Sequence, residues 1–249
     1  MELEGDSLMK KIICSDSVSA AQAAADVFES QVKKKPESVL GLATGSTPIG
    51  LYNELVSRCN AGKIDFSKAK TFNLDEYYPI KSNHRQSYSS FMNEHLFSKV
   101  NFAGTRLLSG EVSDPHEECK RYDAEIETAG GIDLQLLGIG RNGHIGFNEP
   151  AASYSIGSYL VDLTDNTLKA NSRFFDSDET QPTQALTMGI GPIFRARHIL
   201  LLITGEGKAD ITKKLFDGML HTDVPACLLL LHSNVTVVLD KAAAKNIEK

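Results

Sequence analysis

The sequence predicts a single doubly wound α/β layer fold, and three observations carry that expectation. Strand-like and helix-like segments alternate from end to end, the order that builds a parallel sheet between helices. The strand segments are near-continuous apolar runs, as strands buried on both faces require. The 249 residues are 41% apolar, enough for one large core, and no repeat, low-complexity tract or Gly/Ser linker divides them.

The elements follow in order. Residues 1–8 precede the first strand and are expected to be a disordered extension of a domain covering 9–249. Lys11–Cys14 reads as a short strand. Ser15–Ser17 offers N-caps, and Val18, Ala21, Ala25, Phe28 and Val32 then recur at helical spacing until Pro36 stops the helix. Ser38–Ala43 (SVLGLA) is a buried strand. Thr47-Pro48 reads as N-cap and first helical residue of a helix reaching about Cys59. Lys70–Leu74 (KTFNL) is a strand, and Ser87–Phe97 and Pro115–Thr128 are helices. Ile132–Leu137 (IDLQLL), Arg197–Ile203, Ala226–Leu231 and Val235–Leu239 read as further strands, with a helix over Glu206–Leu220. The least regular stretch, 150–183, is expected to be a mobile lid.

Composition excludes several classes. With 23% charged residues and ordinary apolar content, wholesale disorder is excluded. The net charge is −6 and the longest basic run is Lys33–Lys35, so no basic face for nucleic acid is indicated. A small anionic substrate remains compatible, because a few local donors suffice. The four cysteines are widely spaced, without C-x-x-C, which argues against a zinc ribbon or disulfide framework and for free thiols in a reducing compartment. The histidines form no ligand cluster, so no metal is expected. No apolar run is long enough to span a bilayer and the first ten residues hold no apolar h-region; the expected location is the cytoplasm, away from membranes.

In open α/β sheets ligands bind at the carboxyl ends of strands, so the residues after each strand matter most. After SVLGLA come Thr44, Gly45, Ser46, Thr47 and Pro48. Hydroxyls, a glycine and a helix start form a phosphate cradle, although a capped turn without ligand satisfies the same pattern. After KTFNL comes Asp75, a candidate base; a solvated turn is the plainer reading of a lone acidic residue. After IDLQLL comes Gly138-Ile139-Gly140-Arg141-Asn142-Gly143-His144-Ile145-Gly146-Phe147-Asn148-Glu149-Pro150. Its first six residues match G-x-G-x-x-G, and Asp162 lies 19 residues beyond Gly143. Gly146, Asn148 and Pro150 disfavour the helix that a dinucleotide fingerprint must open. The turn is better suited to fold Glu149 back onto His144, giving an imidazole held in one tautomer as a proton shuttle. Arg173 and Lys208, the latter just past a strand, are candidate phosphate ligands or simply exposed charges.

Taken together, LATGSTP, FNLDEYYP, SYSSFM, LLGIGRNGHIGFNEP, NSRFF and TGEGKA resemble the glucosamine-6-phosphate deaminase family, in the family's order, from Met9 to the last strand. The resemblance implies a Rossmann-like three-layer α/β fold with a mostly parallel central sheet. It implies conversion of glucosamine 6-phosphate and water to fructose 6-phosphate and ammonia, without a cofactor. His144, polarised by Glu149, would open the sugar ring, and Asp75 would move the C2 proton. Thr44–Thr47, Arg173 and Lys208 would hold the phosphate. Asn142 stands where some members carry Asp, so it would orient rather than ionise. Ala152, Tyr159 and Val161 replace the Ser, Arg and Lys of the effector site in allosteric members, so hyperbolic kinetics without activation are expected, and an oligomer is possible but not required. The alternatives are a 6-phosphogluconolactonase, a galactosamine-6-phosphate deaminase, a non-catalytic sugar-phosphate sensor and an NAD-dependent dehydrogenase.

Overall fold

The computed structural model describes residues 9–164, 167–168 and 180–247. Ten strands occur among them: β1 (Lys10–Cys14), β2 (Val39–Leu42), β3 (Lys70–Asn73), β4 (Asp75–Tyr78), β5 (Gly104–Arg106), β6 (Leu134–Leu137), β7 (Tyr159–Asp162), β8 (Gln184–Thr187), β9 (Ile199–Ile203) and β10 (Val235–Asp240). Seven make a sheet in the order β1-β10-β9-β6-β2-β3-β5, with every pair parallel. Helices flank it, giving the expected three-layer α/β arrangement. A second sheet, β4-β8-β7, is antiparallel, and the sequence reading did not foresee it.

The core follows from the apolar runs. β2, β6, β9 and β10 are buried along their whole lengths. Two long helices, α1 (Ser17–Lys34) and α2 (Thr47–Asn60), pack on each other, and α1 also lies against β1, β9 and β10. Asp16 caps α1 by accepting from the Ser19 N–H at 2.7 Å. The buried stripe of α1 is Ala20, Ala21, Ala24, Ala25, Phe28 and Val32. Val18, expected on that stripe, is 66% exposed; it lies in the first turn, ahead of Ala20, the first buried residue of α1.

Further helices among the described residues are α3 (Tyr88–Met92), α4 (Pro115–Thr128), as long as α2, and the shorter α5 (Ile190–Phe194), α6 (Ala209–Phe216) and α7 (Lys241–Ala244). The predicted Ser87–Phe97 helix is α3 continued by a π-helical turn over Asn93–Phe97. The predicted Glu206–Leu220 helix is a 3-10 turn, Glu206–Lys208, leading into α6. Ala226–Leu231 is not the expected strand. It lies in a 3-10 helix, Pro225–Leu231. β9 and β10 already have a strand on each side, so this apolar run cannot pair with either of its neighbours in sequence. It buries Ala226, Cys227 and Leu229 against the core instead.

Candidate active site

Four strands consecutive in the sheet, β9, β6, β2 and β3, send their carboxyl ends into one region. From β2 the chain proceeds to β3, on one side; from β6 it proceeds through the small sheet to β9, on the other. The crevice between β2 and β6 is therefore the topological switch point at which an open α/β sheet binds its ligand. The segment after β2 is Thr44–Thr47, the segment after β6 is the glycine loop with His144 and Glu149, Lys208 follows β9, and Asp75 follows β3.

Thr44–Thr47 leads straight into α2. Ser46 is the N-cap residue, itself in helical conformation, and its side chain makes no capping bond. Pro48 occupies the first turn, where its missing N–H costs nothing. Ser46 and Thr47 line a cleft of about 370 Å³ together with Thr204 and Lys208. The Lys208 ammonium donates to the Ile139 carbonyl at 2.6 Å, so it bridges the end of β6 to this cleft. Burial, and then the nearby Arg141 charge, lower the Lys208 pKa. Lys208 and the Ser46 and Thr47 hydroxyls place donors on a cleft whose one lining acid, Glu54, is paired with Arg58, which suits an anion such as a phosphate ester. Arg173 lies outside the described residues.

The glycine loop does not open a helix, as its Gly and Pro content indicated. It folds back on itself and pairs Ile145 with Asn148. A Cβ on Gly140 would sit 2.4 Å from the His144 ring, so only glycine leaves room for that imidazole. His144 Nδ1 lies 3.2 Å from Glu149 Oε2. With Nδ1–H donating to the carboxylate, Nε2 is left as the free base. Asn142 donates to the same Glu149 oxygen at 2.5 Å, and its own oxygen accepts from the His144 N–H at 3.3 Å. Thr167 Oγ1 donates to Glu149 Oε1 at 3.1 Å. Burial raises the Glu149 pKa, but the His144, Asn142 and Thr167 hydrogen bonds outweigh it and the net shift is downward. Glu149 is thus a carboxylate at neutral pH.

Asp75 opens β4 directly after β3 and is 6% exposed. Across the small sheet it pairs with Thr187 of β8. The Thr187 hydroxyl accepts from the Phe147 N–H at 3.2 Å, which ties the glycine loop to β8. Gly146 has φ +59°, and a Cβ there would lie 3.0 Å from Thr187 Oγ1 and 3.7 Å from Asp75 Oδ2. The loop backbone therefore rides over the Asp75 carboxyl. Burial, then the charge of adjacent Glu76, push the Asp75 pKa to about 8. A buried carboxyl whose proton affinity is raised this far is matched to abstracting a proton near neutral pH.

The structure thus brings together Asp75, Asn142, His144 and Glu149, and gathers Ser46, Thr47 and Lys208 around a neighbouring cleft. Sequence reasoning missed Glu76, Thr167 and Thr187. The first was legible as the second acid of Asp75-Glu76. The other two are hydroxyls without any local pattern. A larger cavity, about 760 Å³, opens at the amino ends of β1, β9 and β10, lined by Lys10, Lys34, Arg197 and Asp133 among others. None of the predicted site residues lines it.

Residues 16–238 match the family described as glucosamine-6-phosphate isomerases/6-phosphogluconolactonase. The chain belongs to this family. A glucosamine-6-phosphate deaminase of Clostridium perfringens is 45% identical over 239 residues, covering 95% of this chain and 99% of that protein. One from Clostridium tetani is 52% identical over 227 residues, covering 90% and 94%. A solved structure described as a monomeric glucosamine-6-phosphate deaminase superimposes with a TM-score of 0.91 at 41% identity, covering 96% of this chain and all of that one.

Proposed function

We propose that the protein is a glucosamine-6-phosphate deaminase, converting glucosamine 6-phosphate and water to fructose 6-phosphate and ammonia. The observation that carries this reading is Asp75. It is a buried carboxyl with a raised proton affinity, placed beside a His–Glu pair and near a cleft suited to an anion. Lactone hydrolysis, the other activity in the family's description, breaks a C–O bond and takes no proton from carbon. A deaminating isomerase must take one from C2, and Asp75 answers that need.

In the proposed sequence, Ser46, Thr47 and Lys208 hold the 6-phosphate, and the Thr44–Thr47 backbone approaches it closely at Gly45. Arg173 is assigned to the same phosphate from the family motif. Binding energy at this remote group orients C1 and C2. His144 Nε2 takes the C1 hydroxyl proton and returns one to the ring oxygen, opening the pyranose; Glu149 stabilises the imidazolium and Asn142 keeps both in place. Asp75 then removes the C2 proton to give an enolamine and protonates C1. The resulting imine adds water and releases ammonia. No cofactor enters. The expected setting is cytoplasmic, with hyperbolic kinetics.

The test is a coupled ammonia assay on glucosamine 6-phosphate without added cofactor, with galactosamine 6-phosphate and 6-phosphogluconolactone in the same panel. Ammonia and fructose 6-phosphate in equal amounts are expected. Lactone hydrolysis without ammonia release from either amino sugar would overturn the reading. Binding without turnover would favour a sensor.

A further inference from the structure

Asp75 is followed by a second buried acid. Glu76 is 2% exposed, and neighbouring residues of a strand point to opposite faces, so the two carboxyls serve different surroundings. Glu76 Oε1 accepts from the N–H groups of Tyr77 at 2.9 Å and Tyr88 at 2.8 Å. Glu76 Oε2 accepts from the Ser89 N–H at 2.9 Å. Three backbone donors for one side chain is the environment of a carboxylate, because N–H groups stabilise the charged form. Two of them come from the start of α3, so Glu76 also fixes that segment. Tyr88 then stacks with Phe147 of the glycine loop, with 6.4 Å between ring centroids.

We propose that Glu76 is a positioning residue for proton abstraction. Its carboxylate pins α3 and, through Tyr88 and Phe147, the loop that covers Asp75, while its negative charge keeps the Asp75 carboxyl basic. The proposal rests on the assignment of Asp75 as the C2 base. The electrostatics agree. Burial raises the Glu76 pKa to about 7 despite the hydrogen bonds from Tyr88, Ser89 and Tyr77. Glu76 is in turn the charge that acts on Asp75. The other ionisable groups that feel Asp75 are phenols: Tyr52 on α2, Tyr77 on β4, Tyr88 on α3 and Tyr122 on α4. Burial raises all four, so they are neutral at working pH. The glycine loop adds Glu149, whose carboxylate accepts from Asn142 and lies 3.2 Å from His144 Nδ1, and β8 contributes the uncharged Thr187 opposite Asp75.

The sign of the effect is fixed. A neighbouring negative charge disfavours ionisation of Asp75, so removing it lets Asp75 ionise at lower pH and makes it a weaker base. In Glu76→Gln the acid limb of the kcat/KM profile should move down by about one pH unit, and the plateau should fall about tenfold. Ionisations common to both enzymes, the substrate amine included, cancel in the difference. Glu76→Asp keeps the charge and should leave the limb where it is in the unaltered enzyme. A merely structural role would lower the plateau in both variants and move the limb in neither, and that result overturns the proposal.

A measurement on the unaltered protein guards against a variant that does not fold. With 13C-carboxyl-labelled aspartate, the Asp75 signal should titrate in two steps, because coupled acids share their inflections. A single step overturns the proposal. Asp75→Asn separates the two assignments. If it keeps turnover, the base assignment fails and this proposal falls with it. If it is inactive while the Glu76→Gln limb is unmoved, only the role of Glu76 is wrong.

Discussion

The seven-stranded parallel sheet and the small antiparallel sheet both contain buried strands, but those strands bury different things. Every residue of β9 is a buried aliphatic, and β2, β6 and β10 are nearly as apolar. The small sheet hides Asp75 and Glu76 side by side. Burying hydrocarbon stabilises the fold, at about 25 cal/mol per Å². Burying a carboxyl opposes its ionisation and raises its pKa. The large sheet therefore supplies stability, and the small sheet holds acids under conditions that water would not impose. The reactive groups sit where the two meet, at the carboxyl ends of the central strands.

The sharpest way to break that contrast is Asp75→Asn, which should move activity and stability in opposite directions. Losing a positioned acid–base group costs about 10²–10⁴-fold in turnover. The stability effect follows from the raised pKa of about 8. The protonated Asp75 favours the native fold fully only below about pH 4, where the unfolded carboxyl is protonated too, and that advantage is lost as pH rises from there through about 8. An amide never ionises. The variant's stability relative to the parent should therefore grow between pH 5 and pH 9, by at least about 1 kcal/mol or ~2–4 °C. Parallel melts at the two pH values and an ammonia assay decide the matter. A variant less stable than the parent at pH 9 would show that Asp75 holds the fold together after all.

Leu201→Ala tests the other side. Leu201 is fully buried in β9, between β6 and β10. Its truncation should cost about 2–5 kcal/mol through lost burial and a cavity. At 25 °C the folded variant should turn over within about twofold of the parent, since no hydrogen bond of the site involves Leu201. Denaturant unfolding and kinetics on one preparation check both halves.

The contrast also explains what was legible beforehand. Long apolar runs such as LQLL and ILLLI can be little other than central strands once helices separate them, and the parallel sheet followed from them. Ala226–Leu231 shows the limit: an apolar run tells of burial, not of conformation, and its Ala226 N–H in fact donates to the Gly143 carbonyl at 2.9 Å beneath the glycine loop. The small sheet was hidden because its strands are short and carry acids, tyrosines and glutamine. His144 and Glu149 could be paired in advance because Gly146, Asn148 and Pro150 disfavour a helix there. That pairing is present at 3.2 Å. Thr167 could not be foreseen, since 18 residues separate it from Glu149.

Lys208→Ala probes the seam between the sheets and the anion cleft. A charge-assisted hydrogen bond contributes about 1.5–3 kcal/mol, so the KM for glucosamine 6-phosphate should rise about 10–100-fold. Some loss of kcat should accompany it if phosphate binding orients the ring. Unphosphorylated glucosamine, a very poor substrate in either enzyme, should show little further loss. Equal losses on both substrates would mean that Lys208 serves the glycine loop through the Ile139 carbonyl rather than the phosphate.

The smallest expected effect belongs to Thr167→Val, an exchange of similar shape that removes one hydroxyl. Thr167 donates to the Glu149 oxygen that neither His144 nor Asn142 uses. Leu168 beside it packs into the Tyr77–Phe147 cluster, so the backbone there is held independently of the hydroxyl. Losing the bond should therefore reach catalysis only through Glu149. That carboxylate is held below its usual pKa partly by Thr167. Its pKa should rise in the variant, and Glu149 should lose its charge at a somewhat higher pH as the solution is acidified. Once protonated, Glu149 no longer accepts from His144 Nδ1–H, and the imidazole loses the partner that fixes its tautomer. One hydrogen bond of this kind corresponds to about a 2–10-fold loss of kcat/KM, with KM little changed. Thr167→Ser keeps the donor and should restore most of the rate. If Val and Ser behave alike, the hydroxyl is incidental, and Glu149 is set by His144 and Asn142 alone.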